Sequence, residues 1–194
     1  MNFRSALAVL VAVLALAACS QKDPAREAID AAENALNAVY EDAEKYVPER
    51  YAEVKKELEA ARAAFAEERY ADAIAAVKDV PAHAEALAKE AAAEKERRIA
   101  EMSANWTRIS TSLPDQLAAI GARLEELGKM RKLPEGMDKQ LLEEANAALA
   151  SAQSTWAEAE AAHAAGDLET AAGKAAAAEG MAQDLAARLG MQAR

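Results

Sequence analysis

The chain has 194 residues, a formal charge of −10 and 29 % charged residues, which excludes a polytopic membrane protein and disfavours nucleic acid, whose phosphates require clustered Lys and Arg. Apolar residues reach 53 % although aromatics are only 4 % and Gly and Pro number 7 and 5; alanine fills the difference. The best helix former in place of the β-branched and aromatic residues favoured in strands predicts an all-α protein of one or two small domains.

The first 20 residues read MNFRSALAVLVAVLALAACS. Arg4 and the amino terminus make a basic start, and residues 5–18 carry no charge. Those 14 residues fall short of the about 20 that a membrane-spanning helix needs. A basic start, a short apolar run and small residues before a boundary form the pattern of a signal peptide, here residues 1–18. The boundary Leu16-Ala17-Ala18-Cys19 resembles the bacterial lipobox. There, small residues fit the narrow subsites of the lipoprotein signal peptidase, and the cysteine thiol takes a diacylglyceryl group by thioether. Cys19 is the only cysteine, so no intrachain disulfide competes for it. Each buried lipid methylene contributes about 0.8 kcal/mol, and stable anchoring takes more than one acyl chain, as a mature lipoprotein carries. Ser20 follows. In lipoproteins resembling those of enteric bacteria, Asp at this place retains the protein in the inner membrane. Ser therefore implies the outer membrane, facing the periplasm, with the inner membrane as the alternative.

A short polar tether, residues 19–23, leads to Asp23-Pro24, which reads as an N-cap and first turn. Ile29, Ala32, Leu36, Val39, Ala43 and Tyr46 then step by three and four, predicting a helix over about residues 24–46. Val47, placed before a proline, is pushed out of the α region. Pro48 begins a second helix carrying Tyr51, Val54, Leu58, Ala61 and Phe65. The chain turns near Glu68, and Tyr70, Ala73, Ile74 and Val77 start a third helix that Pro81 kinks or briefly breaks before it runs on to about Ser110. ISTSLPDQ predicts the clearest boundary of the chain, with Ser112 and Asp115 as a capping-box variant and Pro114 in the first turn. A fourth helix carries Leu117, Ile120, Leu124 and Leu127. After the loop GKMRKLPEG, a fifth carries Leu142, Ala145, Leu149, Ala152, Trp156, Ala159 and His163. Gly166 and Asp167 turn the chain into a sixth with Leu168, Ala171, Ala175, Ala178, Ala182, Leu185 and Leu189.

VPERY at 47–51 and LPEGM at 133–137 echo each other, each followed by a helix, a tight turn and a second helix, which suggests an internal repeat. The predicted units are residues 24–110 and 111–194. A buried alanine methyl contributes about 0.8 kcal/mol against about 1.5–3 for a buried leucine or phenylalanine. The expected fold is accordingly an elongated bundle of antiparallel helical hairpins with alanine-rich, coiled-coil-like seams, not a thick globule.

The spaced alanines from residue 25, YVPERY, the stretch Leu58 to Phe65 and ERYADA resemble the DUF4398 family of bacterial envelope lipoproteins. The resemblance covers about residues 25–100, with a weaker copy in the second half. It implies a helical envelope protein, brings no catalytic residue, and is compatible with envelope proteins or non-covalently held peptidoglycan as partners and with oligomers.

The search for chemistry returns little. His83 and His163 lie on different predicted helices outside any metal-ligand spacing, and His163 continues an apolar stripe as a seam residue. With Cys19 committed to lipid, no thiol nucleophile is left, and no Gly-rich phosphate loop occurs. Pairs such as Glu67-Glu68 and Glu125-Glu126 read as solvated helix charges. Trp156 fits the core. Trp106 is expected to make a core or interdomain contact in preference to serving as a ligand platform. No catalytic, cofactor or metal residue is assigned, and the membrane is the partner through Cys19. The expected role is a lipid-anchored helical scaffold or interaction protein without catalysis. The alternative is a tetratricopeptide-like module holding a peptide or protein, which RYADAIAAV suggests and the absence of a 34-residue period opposes.

Overall fold

The computed structural model describes the backbone of residues 3–191 and the side chains of residues 21–191. Among the described residues the structure is all helical: α1 (Phe3–Tyr46), α2 (Pro48–Ala66), α3 (Tyr70–Val77), α4 (Val80–Lys129), α5 (Lys139–Ala164) and α6 (Leu168–Arg188). The chain forms two compact units, Met1–Arg97 and Arg98–Arg194, dividing within α4.

Several boundaries follow local chemistry. Val47, at φ −138° and ψ 52°, leaves the helical region, and Pro48 occupies the first turn of α2, where its missing N–H costs nothing. The third helix breaks at Lys78–Asp79, and Pro81 falls in the first turn of α4. Buried Val77 and Val80 flank that break.

Two predicted boundaries are corrected. The helix expected to start at Asp23-Pro24 is instead the later part of α1, which runs through Pro24 from Phe3. The alanine- and leucine-rich run before it has high helix propensity, and Ala25, fully buried directly after the proline, keeps the helix seated. The boundary predicted at Ser112 is absent, because α4 continues through Pro114. Its hydroxyls bond back along the helix and do not cap one: Thr111 Oγ1 donates to the Thr107 carbonyl at 2.7 Å and Ser112 Oγ to the Arg108 carbonyl at 3.2 Å. Ile109, Leu113, Leu117 and Ile120 are buried on both sides of the proline. Pro114 itself is exposed, so its ring lies on the solvent side of the helix. Packing of the continuous stripe outweighs the local breaker.

In the first unit, α1, α2 and α3 approach one another closely in all three pairings. Their core combines Ala25, Ala32, Ala43, Ala61, Ala64 and Ala73 with Ile29, Leu36, Val54, Leu58, Tyr70 and Val77, joined by Val80 and Leu87 of α4. In the second unit, α5 and α6 approach closely along their length through Ala145, Ala152, Ala159, Ala175, Ala178 and Ala182. Ile109, Leu113, Leu117, Ile120, Leu124 and Leu127 of α4 complete that core.

The turns after α2 and α5 share one hydrogen-bond pattern. Glu67, Glu68 and Arg69 donate their amides to the carbonyls of Ala63, Phe65 and Ala64; Ala165, Gly166 and Asp167 donate to Ala161, His163 and Ala162. The residue that must turn left-handed is Gly166, at φ 81°, in the second case and Glu68, at φ 61°, in the first. Asp167 also caps α6 by accepting from the Thr170 amide at 3.0 Å, whereas Arg69 at the start of α3 provides no side-chain cap.

Candidate functional site

Leu16, Ala17, Ala18, Cys19 and Ser20 lie within α1, and their side chains are outside the described residues. The first described side chain, Gln21, lies beside the turn between α2 and α3. Arg26 of α1 stands over the Phe65 ring of α2, 5.8 Å from its centroid. Arg26, Ile29, Arg62 and Phe65 line a small surface groove. Arg62 is held by Glu33 of α1, with Nη2 at 2.6 Å; Arg26 has no carboxylate partner among the described residues. A second shallow groove beside the α2–α3 turn is lined by Gln21, Glu68, Arg69, Tyr70, Ala71 and Asp72. Its arginine is already paired with Glu67 at 2.9 Å and Asp72 at 2.7 Å.

Further along the first unit, polar side chains bridge the helices: His83 Nδ1 to Glu57 at 3.0 Å, Lys95 to Asp42 at 3.4 Å and Arg50 to Glu90 at 3.6 Å. Tyr40 and Tyr51 meet edge to face at 5.7 Å. Glu44 raises the Tyr40 phenol by hydrogen bond and charge, while burial, then Glu44, raises that of Tyr51.

The second unit holds an aromatic stack. Trp106 of α4 lies between two α5 rings: Trp156 at 5.3 Å and 18°, and His163 at 4.1 Å and 5°. Trp156 and His163 are seven residues apart, about two helical turns, so both face Trp106. Trp156 is 8 % exposed and belongs to the core; Trp106 is half-buried against that core, as a core contact. His163 differs from the seam position expected for it. It is exposed and covers the outer face of the Trp106 ring, because the stripe of α5 reaches the surface in its last turn. Nearby, Arg108 grips Glu179 of α6 in a bidentate pair of 2.5 and 2.8 Å, and this hydrogen bonding holds the Glu179 carboxyl below its usual range against a smaller opposing effect of burial.

Chemically, these arrangements join helices and offer surfaces. Among the described residues no polar or charged residue is buried, no group of His, Cys, Asp and Glu could hold a metal ion, and no helix is long and apolar enough to cross a membrane. The pairing of Trp106 with His163 and the groove of Arg26 and Phe65 were not predicted. Each joins residues of different helices, and the only sequence signal for either is the seven-residue spacing of Trp156 and His163. No family model matches the chain, and no curated protein or solved structure is significantly similar to it.

Proposed function

We propose that the protein is a lipid-anchored, periplasm-facing helical scaffold or interaction protein of the bacterial envelope, held in the outer membrane through Cys19. The observation that carries this is the leader: a basic start, an uncharged run over residues 5–18 and Leu16-Ala17-Ala18 before the only cysteine of the chain. The resemblance to DUF4398 lipoproteins belongs to the same reading, with envelope proteins or non-covalently held peptidoglycan as partners. So do antiparallel hairpins with coiled-coil-like alanine seams, which the shared turn after Phe65 and His163 supports. The reading assigns no catalysis. The acids with depressed pKa serve structure: Glu179 ties α6 to α4 and Asp167 caps α6. Closed alanine seams favour the scaffold over a peptide-holding groove.

The test is metabolic labelling of the full-length chain with palmitate in a Gram-negative host. Wild type should take up label and fractionate with the outer membrane. Cys19→Ala should lose label and leave the membrane, and Ser20→Asp should shift the protein to the inner membrane of an enteric host. A wild-type chain that takes up no palmitate would overturn the anchor.

A further inference from the structure

In a chain of net charge −10, Arg26 forms no ion pair among the described residues; its guanidinium lies over Phe65, 5.8 Å from the ring centroid. Beside it in the same groove is Arg62, whose Nε and Nη2 engage Glu33 Oε1 at 2.9 and 2.6 Å, leaving Nη1 outside that pair. Of the four residues that line the groove, Arg26 and Arg62 are the charged ones, and Glu33 is bound to Arg62. Its floor is apolar, made by Ile29 at 7 % exposure and half-buried Phe65. Two guanidiniums over an apolar floor suit a monoanion carried on an apolar body, since planar N–H forks match phosphate oxygens.

Size and position narrow the occupant. The groove holds about 130 Å³, well below the roughly 300–1,000 Å³ of pockets that enclose a whole small molecule. It therefore takes one end of a ligand whose remainder stays outside. Arg26 is seven residues beyond Cys19 on the same helix, about 10 Å along its axis at 1.5 Å per residue. On the reading that Cys19 is lipidated, this is the depth of the headgroup layer.

We infer that the groove of Arg26, Ile29, Arg62 and Phe65 binds the phosphodiester headgroup of an anionic glycerophospholipid in the leaflet that holds the anchor. The phosphate sits between the two guanidiniums, the glycerol end lies on Ile29 and Phe65, and the acyl chains remain in the bilayer. The contact seats the first unit on the membrane surface.

The test is a titration of the full-length chain with dihexanoyl-phosphatidylglycerol below its micelle concentration, following the backbone amide resonances of Ile29 and Phe65. Dihexanoyl-phosphatidylcholine and inorganic phosphate form parallel arms. Phosphatidylglycerol should shift both resonances saturably and bind at least tenfold more tightly than either control. Arg26→Ala should weaken it at least fivefold, with Arg26→Lys intermediate. Alanine favours the helix, and unchanged circular dichroism will show the variant folded. Equal binding by Arg26→Ala, or equal binding of phosphatidylcholine or of phosphate alone, would overturn the assignment. Palmitate labelling reads the anchor and this titration reads the groove, so failure of one is seen separately from failure of the other.

Discussion

α1 presents Ala25, Ala32 and Ala43 among its larger core residues, and its backbone comes within 8 Å of both α2 and α3. In the second unit the corresponding contribution comes from α4 with isoleucines and leucines alone, from Ile109 to Leu127, and α4 makes no comparably close approach to α5 or α6. There the close pair is α5 with α6, both lined with alanine. The difference teaches how one composition supports two packing modes. Alanine seams let backbones meet but bury little per contact, whereas a leucine ridge holds its helix off and buries more, about 1.5–3 kcal/mol per large side chain against about 0.8 for a methyl.

The largest test of this contrast truncates the ridge. Leu113→Ala or Leu127→Ala, both at 0 % exposure, should each cost about 2–5 kcal/mol in urea denaturation followed by circular dichroism. The opposite change probes the seams. Ala32→Leu and Ala175→Leu, both at positions of 0 % exposure, should cost about 1–3 kcal/mol by forcing closely placed helices apart. If truncating the ridge proves cheaper than overpacking a seam, α4 collapses onto the alanine pair and the two modes are not distinct.

The turns sharpen the comparison at smaller cost. Gly166 and Glu68 occupy the same left-handed place in the same hydrogen-bond pattern. Gly166→Ala should therefore destabilise by about 1 kcal/mol, the strain of a side chain in that region. Glu68→Gly should stabilise by less, since the glycine also loosens the unfolded chain. Thermal melts of the two variants should move in opposite directions.

The smallest effect is in acid. The hydrogen bonds from Thr170 hold the Asp167 carboxyl below its ordinary range. A depressed folded pKa adds stability above the unfolded value and loses it as pH falls through the folded one. Melts from about pH 5 to about pH 2 should show that loss in wild type. Asp167→Asn, which still caps, should flatten this part of the profile. The Glu179–Arg108 pair adds a loss of the same sign, so the flattening will be partial. At the start of α3, Arg69 supplies no acid-sensitive cap of this kind.

The sequence by itself determined that these segments are helices, that Pro48 opens one, that the chain breaks near Pro81, and that it turns at Glu68 and at Gly166. Such signals act within a turn or two of backbone: a proline without its N–H, a glycine free to go left-handed, apolar residues at three-four spacing. Tertiary packing decided what needed a partner helix. Pro114 looked like a boundary because Ser112 and Asp115 make a locally valid cap, yet Leu113 and Leu117 bury on one continuous ridge and the helix continues. Trp106 could be assigned to the core, but its ring partners depend on the register of α4 against α5, which no spacing within α4 encodes. Arg26 and Phe65 are likewise separated by a whole helix and a turn, and only the closeness that alanine permits between α1 and α2 brings a guanidinium over that ring.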